Sequence, residues 1–166
     1  MILIAAVNNS WGIGKDNDLL YHIPSDMKFF REKTKGNIIV IGRKTLESFP
    51  NGEPLKLRDN VVLTQNPSYK KDGAIVFNTV DEVLEYIDRH KDKEAYLCGG
   101  AQIYSLLLPC CEKAYITKIN DDKQADSFIP NLDKADDWVL SNESEGFSEN
   151  GYDFKFLTYV NTKITK

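Results

Sequence analysis

"NIIVIGRKT" (residues 37–45) decides how this chain folds. Ile38 to Ile41 are four β-branched residues in a row, with no polar residue alternating between them, the pattern of a strand covered on both faces. Gly42 ends the run, and Arg43, Lys44 and Thr45 open what reads as a short helix over 43–49. A buried strand that passes directly into a helix belongs to a sheet of mostly parallel strands joined by right-handed crossovers.

The pattern repeats outward from there. "ILIAAV" (2–7), "NVVLTQ" (60–65), "AIVF" (74–77) and "AYLC" (95–98) are further apolar runs, and helical spacing fits 24–34, 79–90 and 101–108. Thr79 with Glu82 three residues on makes a capping box, and Val80, Val83, Leu84 and Ile87 share one stripe. From residue 113 the chain changes character. "KAYITKI" (113–119), "DWVLSNESEG" (137–146) and "YDFKFLTYV" (152–160) have no helix between them. In the last, Tyr152, Phe154, Phe156 and Thr158 alternate with Asp153, Lys155 and Leu157, the period of a half-buried strand. "SENG" (148–151) suits a hairpin turn. The expected fold is α/β, one domain over 1–166: a central mixed sheet of about eight mostly parallel strands, an antiparallel C-terminal edge and about four flanking helices.

Composition narrows the function. The 166 residues are 42% hydrophobic and 28% charged, a globular balance, and the net charge of −4 argues against nucleic-acid or membrane partners. No apolar run approaches the roughly 18 residues of a membrane span. "MILIAAV" has no basic stretch before it and no cleavage site after it, so it reads as a first strand and not a signal peptide. Cys98, Cys110 and Cys111 are odd in number and fit no CxxC pattern, which suits a reducing cytoplasm.

Several kinds of chemistry drop out. His22 and His90 have no histidine at ligand spacing, so no metal is expected, and His22 reads as a solvent-exposed loop residue. No GxSxG elbow or phosphate loop is present, and "GIG" (12–14) lacks a third glycine, position 17 being Asn17. Two strand-to-helix turns remain as anion sites. At Gly42, Arg43, Lys44 and Thr45 the alternatives are a phosphate at a helix start and a solvated basic loop. At Gly99–Gly100 they are a close backbone approach to a ligand and a turn that needs positive φ. That both follow parallel strands favours ligand binding, since such sheets bind beyond the strands' carboxyl ends. The third feature is Asp26, in the first turn of the 24–34 helix. It either pairs with the helix dipole or, beside Phe30 and the Ile23–Met27–Thr34 stripe, stands at the edge of an apolar pocket with its proton affinity tuned by burial.

Together, "IAAV", "GIGKDNDL", "IPSDMKFFREKT", "VIGRKTLESF", "LRDNVVLT", "CGGAQIY", "YITKI" and "ADSFIP" resemble, in order and spacing, bacterial-type dihydrofolate reductase over nearly the whole chain. The resemblance implies hydride transfer from NADPH to C6 of dihydrofolate with N5 gaining a proton from water, a product that feeds one-carbon metabolism, and inhibition by antifolates such as trimethoprim. It gives Asp26 the pterin 2-amino group and N3, with Thr117 supporting both. Ile4, Ala6, Leu19, Met27, Phe30, Phe49, Leu55 and Cys98 would line the substrate cleft, and Arg58 would clamp the substrate's α-carboxylate. On the cofactor side, Arg43 and Lys44 would meet the 2′-phosphate and pyrophosphate, Thr45 would bond the pyrophosphate, and Gly42, Gly99, Gly100, Ala101, Gln102 and Ile103 would border it. A cis bond joins Gly99 to Gly100 in the family. Leu63, Thr64 and Gln65 would lie near the adenosine ribose. Ala6, Ile13, Cys98 and Tyr104 would surround the nicotinamide. Residues 9–23, with Gly14, Asn17 and Leu19, match a mobile loop that closes over it, steadied by Asp126.

One departure stands out. Where the family carries a tryptophan, often after a proline, this chain has Leu20 and Tyr21. Two readings of Tyr21 stay open: its hydroxyl stands in for the indole N–H that holds a water near the pterin, or the change alters loop closure, proton delivery or antifolate binding. Two alternatives to the reductase remain: a related pterin or pyrimidine reductase, against which Arg58 speaks, and a homologue that binds pterin or nucleotide without turnover, for which Tyr21 speaks. A monomer is expected.

Overall fold

The computed structural model describes residues 1–164. In chain order the strands are β1 (Ile2–Val7), β2 (Gly12–Lys15), β3 (Asp18–Leu19), β4 (Ile38–Gly42), β5 (Asp59–Leu63), β6 (Ala74–Phe77), β7 (Ala95–Gly99), β8 (Lys113–Ile119), β9 (Ser127–Phe128), β10 (Trp138–Glu143), β11 (Phe147–Glu149) and β12 (Tyr152–Asn161). The helices are α1 (Pro24–Thr34), α2 (Arg43–Ser48), α3 (Val80–Arg89) and α4 (Ala101–Leu107).

The main sheet runs β10-β12-β8-β1-β7-β4-β5-β6, with β11 added on β12. Every pairing from β8 to β6 is parallel, and β12 is antiparallel to β8, β10 and β11. This is the expected mixed sheet with an antiparallel edge. Alternate residues of β1 face opposite sides: Leu3 and Val7 join a core cluster with Leu107 and Val83, while Ile2 and Ile4 pack with Phe29 and Phe30. Helices α3 and α4 therefore cover one face, and α1 covers the other. Both faces are dry, which is why these strands carry no polar alternation.

The C-terminal strand corrects one expectation. Its Phe154 and Phe156 side was to be buried and the Leu157 side wet. Instead Leu157 and Tyr159 lie in the core that holds Trp11, and Tyr159 meets Trp11 edge-on at 6.0 Å. Because Trp11, from the 9–23 segment, folds over that face, β12 is covered on both sides. The "SENG" turn forms as expected, with Asn150 and Gly151 both at positive φ.

A second, small sheet of β3-β2-β9 was not expected from the sequence. Its strands are too short to show a period, and residues 9–23 read only as a loop. No helix among the described residues is long and apolar enough to cross a membrane.

Candidate functional site

The carboxyl ends of β1, β4 and β7 lie side by side in the sheet; α2 follows β4 directly, α4 follows β7, and α1 comes after β1 by way of the 9–23 segment. Pro24 occupies the first turn of α1, where its missing N–H costs nothing, but Ile23 supplies no side-chain cap. Glu149 of β11 fills that role from across the fold: its Oε1 accepts from the Ser25 N–H at 2.9 Å and its Oε2 accepts from the Ser25 hydroxyl. Asp26 follows, half-buried, and its Oδ1 accepts from Thr117 Oγ1 at 2.6 Å. Thr117 arrives through register, since β8 pairs with β1 so that Thr117 stands opposite Ala6. Burial pushes the Asp26 carboxyl above the usual carboxylate range; the Thr117 bond opposes that shift and loses.

On this face Ile4, Phe30 and Cys98 share one cluster, and Cys98 continues into a second with Phe49 and Leu55. Burial also pushes the Cys98 thiol far up, so it behaves as a small apolar residue and not as a nucleophile. Two expected lining residues are not part of this wall. Met27 is 42% exposed and Leu19 is 60% exposed. Of the Ile23–Met27–Thr34 stripe only Ile23 and Thr34 are buried.

Arg58 is held from two sides. Its Nε donates to Thr34 Oγ1 at 2.8 Å and its Nη1 donates to Lys56 O at 2.7 Å. Asn60, fully enclosed, shapes the approach: its amide side chain bonds both the N–H and the carbonyl of Leu55 and the carbonyl of Arg58. Asn60 was missed in the sequence, where an asparagine just ahead of "VVL" looks like ordinary loop punctuation.

At the second turn, Gly99 answers to the positive-φ alternative, and Gly100 to a close approach within the protein. Gly99 has φ +119°, which only glycine adopts without strain. Gly100 has no such requirement, but a Cβ there would come within 3.3 Å of Thr45 Oγ1. Close approach of the two strand-to-helix turns explains it. The Gly99–Gly100 bond is cis. Tyr104 is buried and donates to Ile4 O at 2.7 Å, tying α4 to β1. Leu63 ends β5, Thr64 lies just past it half-buried, and Gln65 is exposed. Arg43 does not stand as a free cation: its Nη1 is 3.0 Å from Glu47 Oε1 one helical turn on. Lys44 is exposed.

Residues 9–23 form a hairpin of β2 and β3 whose tip, Asp16 and Asn17, has positive φ. Asp126 receives it, accepting from the Asp16 N–H at 2.9 Å through Oδ2 and donating its own N–H to Gly14 O at 3.0 Å. Asn17 reaches Lys44 O at 3.5 Å, and Ile13 is half-buried. His22 is exposed, with Nε2 3.8 Å from Asp18 Oδ1.

Of the two readings of Tyr21, its partner favours the one that bears on the loop. It is only 6% exposed, set edge-on against Tyr152 with ring centroids 5.0 Å apart, and its hydroxyl donates to Asp121 Oδ2 at 2.6 Å. Burial and the Asp121 bond push that phenol up to about 12. With the ring fixed by packing, the hydroxyl points at the 121–123 segment.

The dihydrofolate reductase family model matches residues 1–161. The chain is 36% identical over 156 residues to a dihydrofolate reductase of Bacillus subtilis, covering 93% of this chain and 90% of that one. It is 33% identical to one of Staphylococcus haemolyticus, covering 95% and 93%. A solved structure of dihydrofolate reductase from Enterococcus faecalis, complexed with NADP(H) and RAB-propyl, superimposes with a TM-score of 0.86 at 33% identity, over 96% of this chain and 95% of that one.

Proposed function

Because the chain belongs to the dihydrofolate reductase family, we propose that it reduces 7,8-dihydrofolate to 5,6,7,8-tetrahydrofolate with NADPH, in the cleft beyond β1, β4 and β7. The Asp26–Thr117 pair carries this reading. Thr117 occupies one lone pair of Asp26 Oδ1, which leaves Oδ2 and the rest of Oδ1 to accept two parallel N–H groups, those of the pterin 2-amino group and N3. The apolar wall of Ile4 and Phe30 excludes competing water and strengthens those bonds. Asp26 thus orients and polarises the pterin while water delivers the N5 proton. Arg58, steadied by Thr34 and Lys56, presents its remaining N–H groups to the substrate's α-carboxylate.

The residues across the cleft fit the nicotinamide cofactor. Gly100 and Thr45 abut, so that the N–H groups and hydroxyl of two strand-to-helix turns converge where a pyrophosphate would lie, and exposed Lys44 supplies a cation for a 2′-phosphate. NADPH, when bound, supplies the hydride. Gly42, Ala101, Gln102 and Ile103 frame the pyrophosphate side, Leu63, Thr64 and Gln65 the ribose side, and Ala6, Ile13 and Tyr104 the nicotinamide side. Gly14, Asn17 and Leu19 belong to the hairpin that covers it.

The same proposal makes the protein one domain, a monomer working in the cytoplasm without a nucleic-acid partner; three free cysteines and a net charge of −4 support it. Antifolates would compete for the Asp26 pocket. The test is loss of absorbance in the NADPH band. Loss that depends on added dihydrofolate is expected, and its absence overturns the reading. A dihydropterin lacking the glutamate tail should turn over with a higher KM; equal use of both would favour the related pterin reductase.

A further inference from the structure

The 9–23 segment is fastened at its tip by Asp126 and again, independently, at its root. Asn8, fully buried at the segment's entry, donates Nδ2 to Lys123 O at 2.8 Å, while its Oδ1 accepts from Gly12 N–H at 2.9 Å. At the exit, Lys123 Nζ donates to Leu20 O at 3.1 Å and to the Tyr152 hydroxyl at 3.2 Å. The same ammonium lies 4.8 Å from the Tyr21 ring centroid and 5.5 Å from that of Tyr152. Asp121 Oδ2 accepts from the Tyr21 hydroxyl at 2.6 Å and from the Lys123 N–H at 3.0 Å. Residues 121–123 are therefore gripped by both ends of the segment.

We propose that Tyr21, Asp121 and Lys123 form a latch that holds the root of the 9–23 hairpin against residues 121–123, and that Tyr21 serves the reaction as a positioning residue through this latch and not as a hydroxyl facing the pterin. The role rests on the reductase reading, because what the hairpin covers is the nicotinamide side of the cleft. A phenol donating to a carboxylate makes a short, charge-assisted bond with a narrow range of geometries. Such a bond fixes where Leu20 and Tyr21 leave the hairpin, and so how long the hairpin stays closed. Lys123 adds a second constraint on the same two residues, one on the backbone of Leu20 and one on the ring of Tyr21.

Four variants test the latch. Tyr21→Phe keeps the ring and removes the bond; Asp121→Ala removes the acceptor; Tyr21→Phe/Asp121→Ala combines them; Asp121→Asn keeps a neutral acceptor. NADPH release is followed by energy transfer from the chain's two tryptophans, Trp11 and Trp138, and opening of the hairpin by amide exchange in 9–23 against 24–34. Each of Tyr21→Phe and Asp121→Ala should speed NADPH release about tenfold or more, the order expected for one lost hydrogen bond to a charged group. The double variant should go no further than Asp121→Ala, because the Tyr21 bond is already gone in that single variant. Asp121→Asn should fall between, exchange should rise in 9–23 alone, and KM for dihydrofolate and the pH profile of kcat should stay put. Additive effects, unchanged release, or a shifted pH profile with raised dihydrofolate KM in Tyr21→Phe alone would overturn the latch. The reductase reading fails on a different result, wild-type protein with no dihydrofolate-dependent oxidation. The exchange and release measurements judge the latch without turnover.

Discussion

Asp26 and Asp121 each accept a hydrogen bond of 2.6 Å from a hydroxyl, one from Thr117 and one from Tyr21, yet their proton affinities move in opposite directions. At Asp26 loss of water is the larger influence and raises the carboxyl against the Thr117 bond. At Asp121 the Tyr21 bond leads, the Lys123 N–H adds to it, burial counts for little, and the carboxyl is held low. A single hydroxyl bond contributes a modest amount net, whereas taking a carboxylate out of water without a full set of partners costs several-fold more. The same bond therefore accompanies a raised carboxyl in one place and a lowered one in the other, and hydration decides which.

The sharpest way to break this contrast is to neutralise Asp26. Asp26→Asn should lower kcat near neutral pH by about a hundredfold or more, the range for a group acting on proton transfer, and lose less at low pH, where the substrate is protonated in solution. An undiminished rate across pH would remove Asp26 from the mechanism. Thermal unfolding gives the stability side of the contrast, with opposite signs for the two acids. Asp26 has its folded-state affinity raised, so its charged form burdens the fold. Asp26→Asn should gain stability over wild type as pH rises from the ordinary carboxylate range through the raised value, with no gain below it. Asp121 has its affinity lowered, so it stabilises the fold above its unfolded value of 3.8 and loses that as pH falls through the folded value. Asp121→Asn should accordingly unfold at lower temperature than wild type at neutral pH, and the gap should close in acid. Matching signs would mean that burial does not distinguish the pair.

Thr117→Val sharpens the Asp26 side alone. It removes the one bond that lowers that carboxyl, so the pH profile of kcat should move upward and kcat should fall about tenfold, the order of one hydrogen bond to a charged group. A profile that stays in place would show that Thr117 does not touch the active acid in solution. The smallest effect belongs to the cofactor side. Arg43 is paired with Glu47, so Glu47→Gln should free it and improve binding of NADPH over NADH by about two- to threefold, the scale of an exposed ion pair. Arg43→Ala should weaken NADPH more than NADH. Equal effects on both cofactors would take Arg43 away from the 2′-phosphate.

Much of the architecture was readable beforehand. Ile2–Val7, Lys113–Ile119, Ala74–Phe77 and Pro24–Thr34 have the bounds that their patterns suggested. Thr79 does cap α3, accepting from the Glu82 N–H. Spacing singled out Asp26 and the two strand-to-helix turns as candidates, and the family resemblance added Thr117 and Arg58. Four anchoring residues escaped: Asn60 beside Arg58, Glu149 at the start of α1, and Asn8 and Lys123 at the root of the 9–23 segment. Each is a polar side chain in or beside a loop, and loops are full of such residues. Only the partner distinguishes one that anchors a helix from one that meets water.

Periodicity and helix caps depend on residues two to four positions apart, and so strand, helix and the first-turn place of Asp26 follow from residue order alone. The second face of β12, the partner of Tyr21 and the direction in which each aspartate titrates do not. Thr117 meets Asp26 across 91 positions, Asp121 meets Tyr21 across 100, and Glu149 meets Ser25 across 124. Those meetings, and the water they exclude, exist only once the sheet has brought distant strands into register.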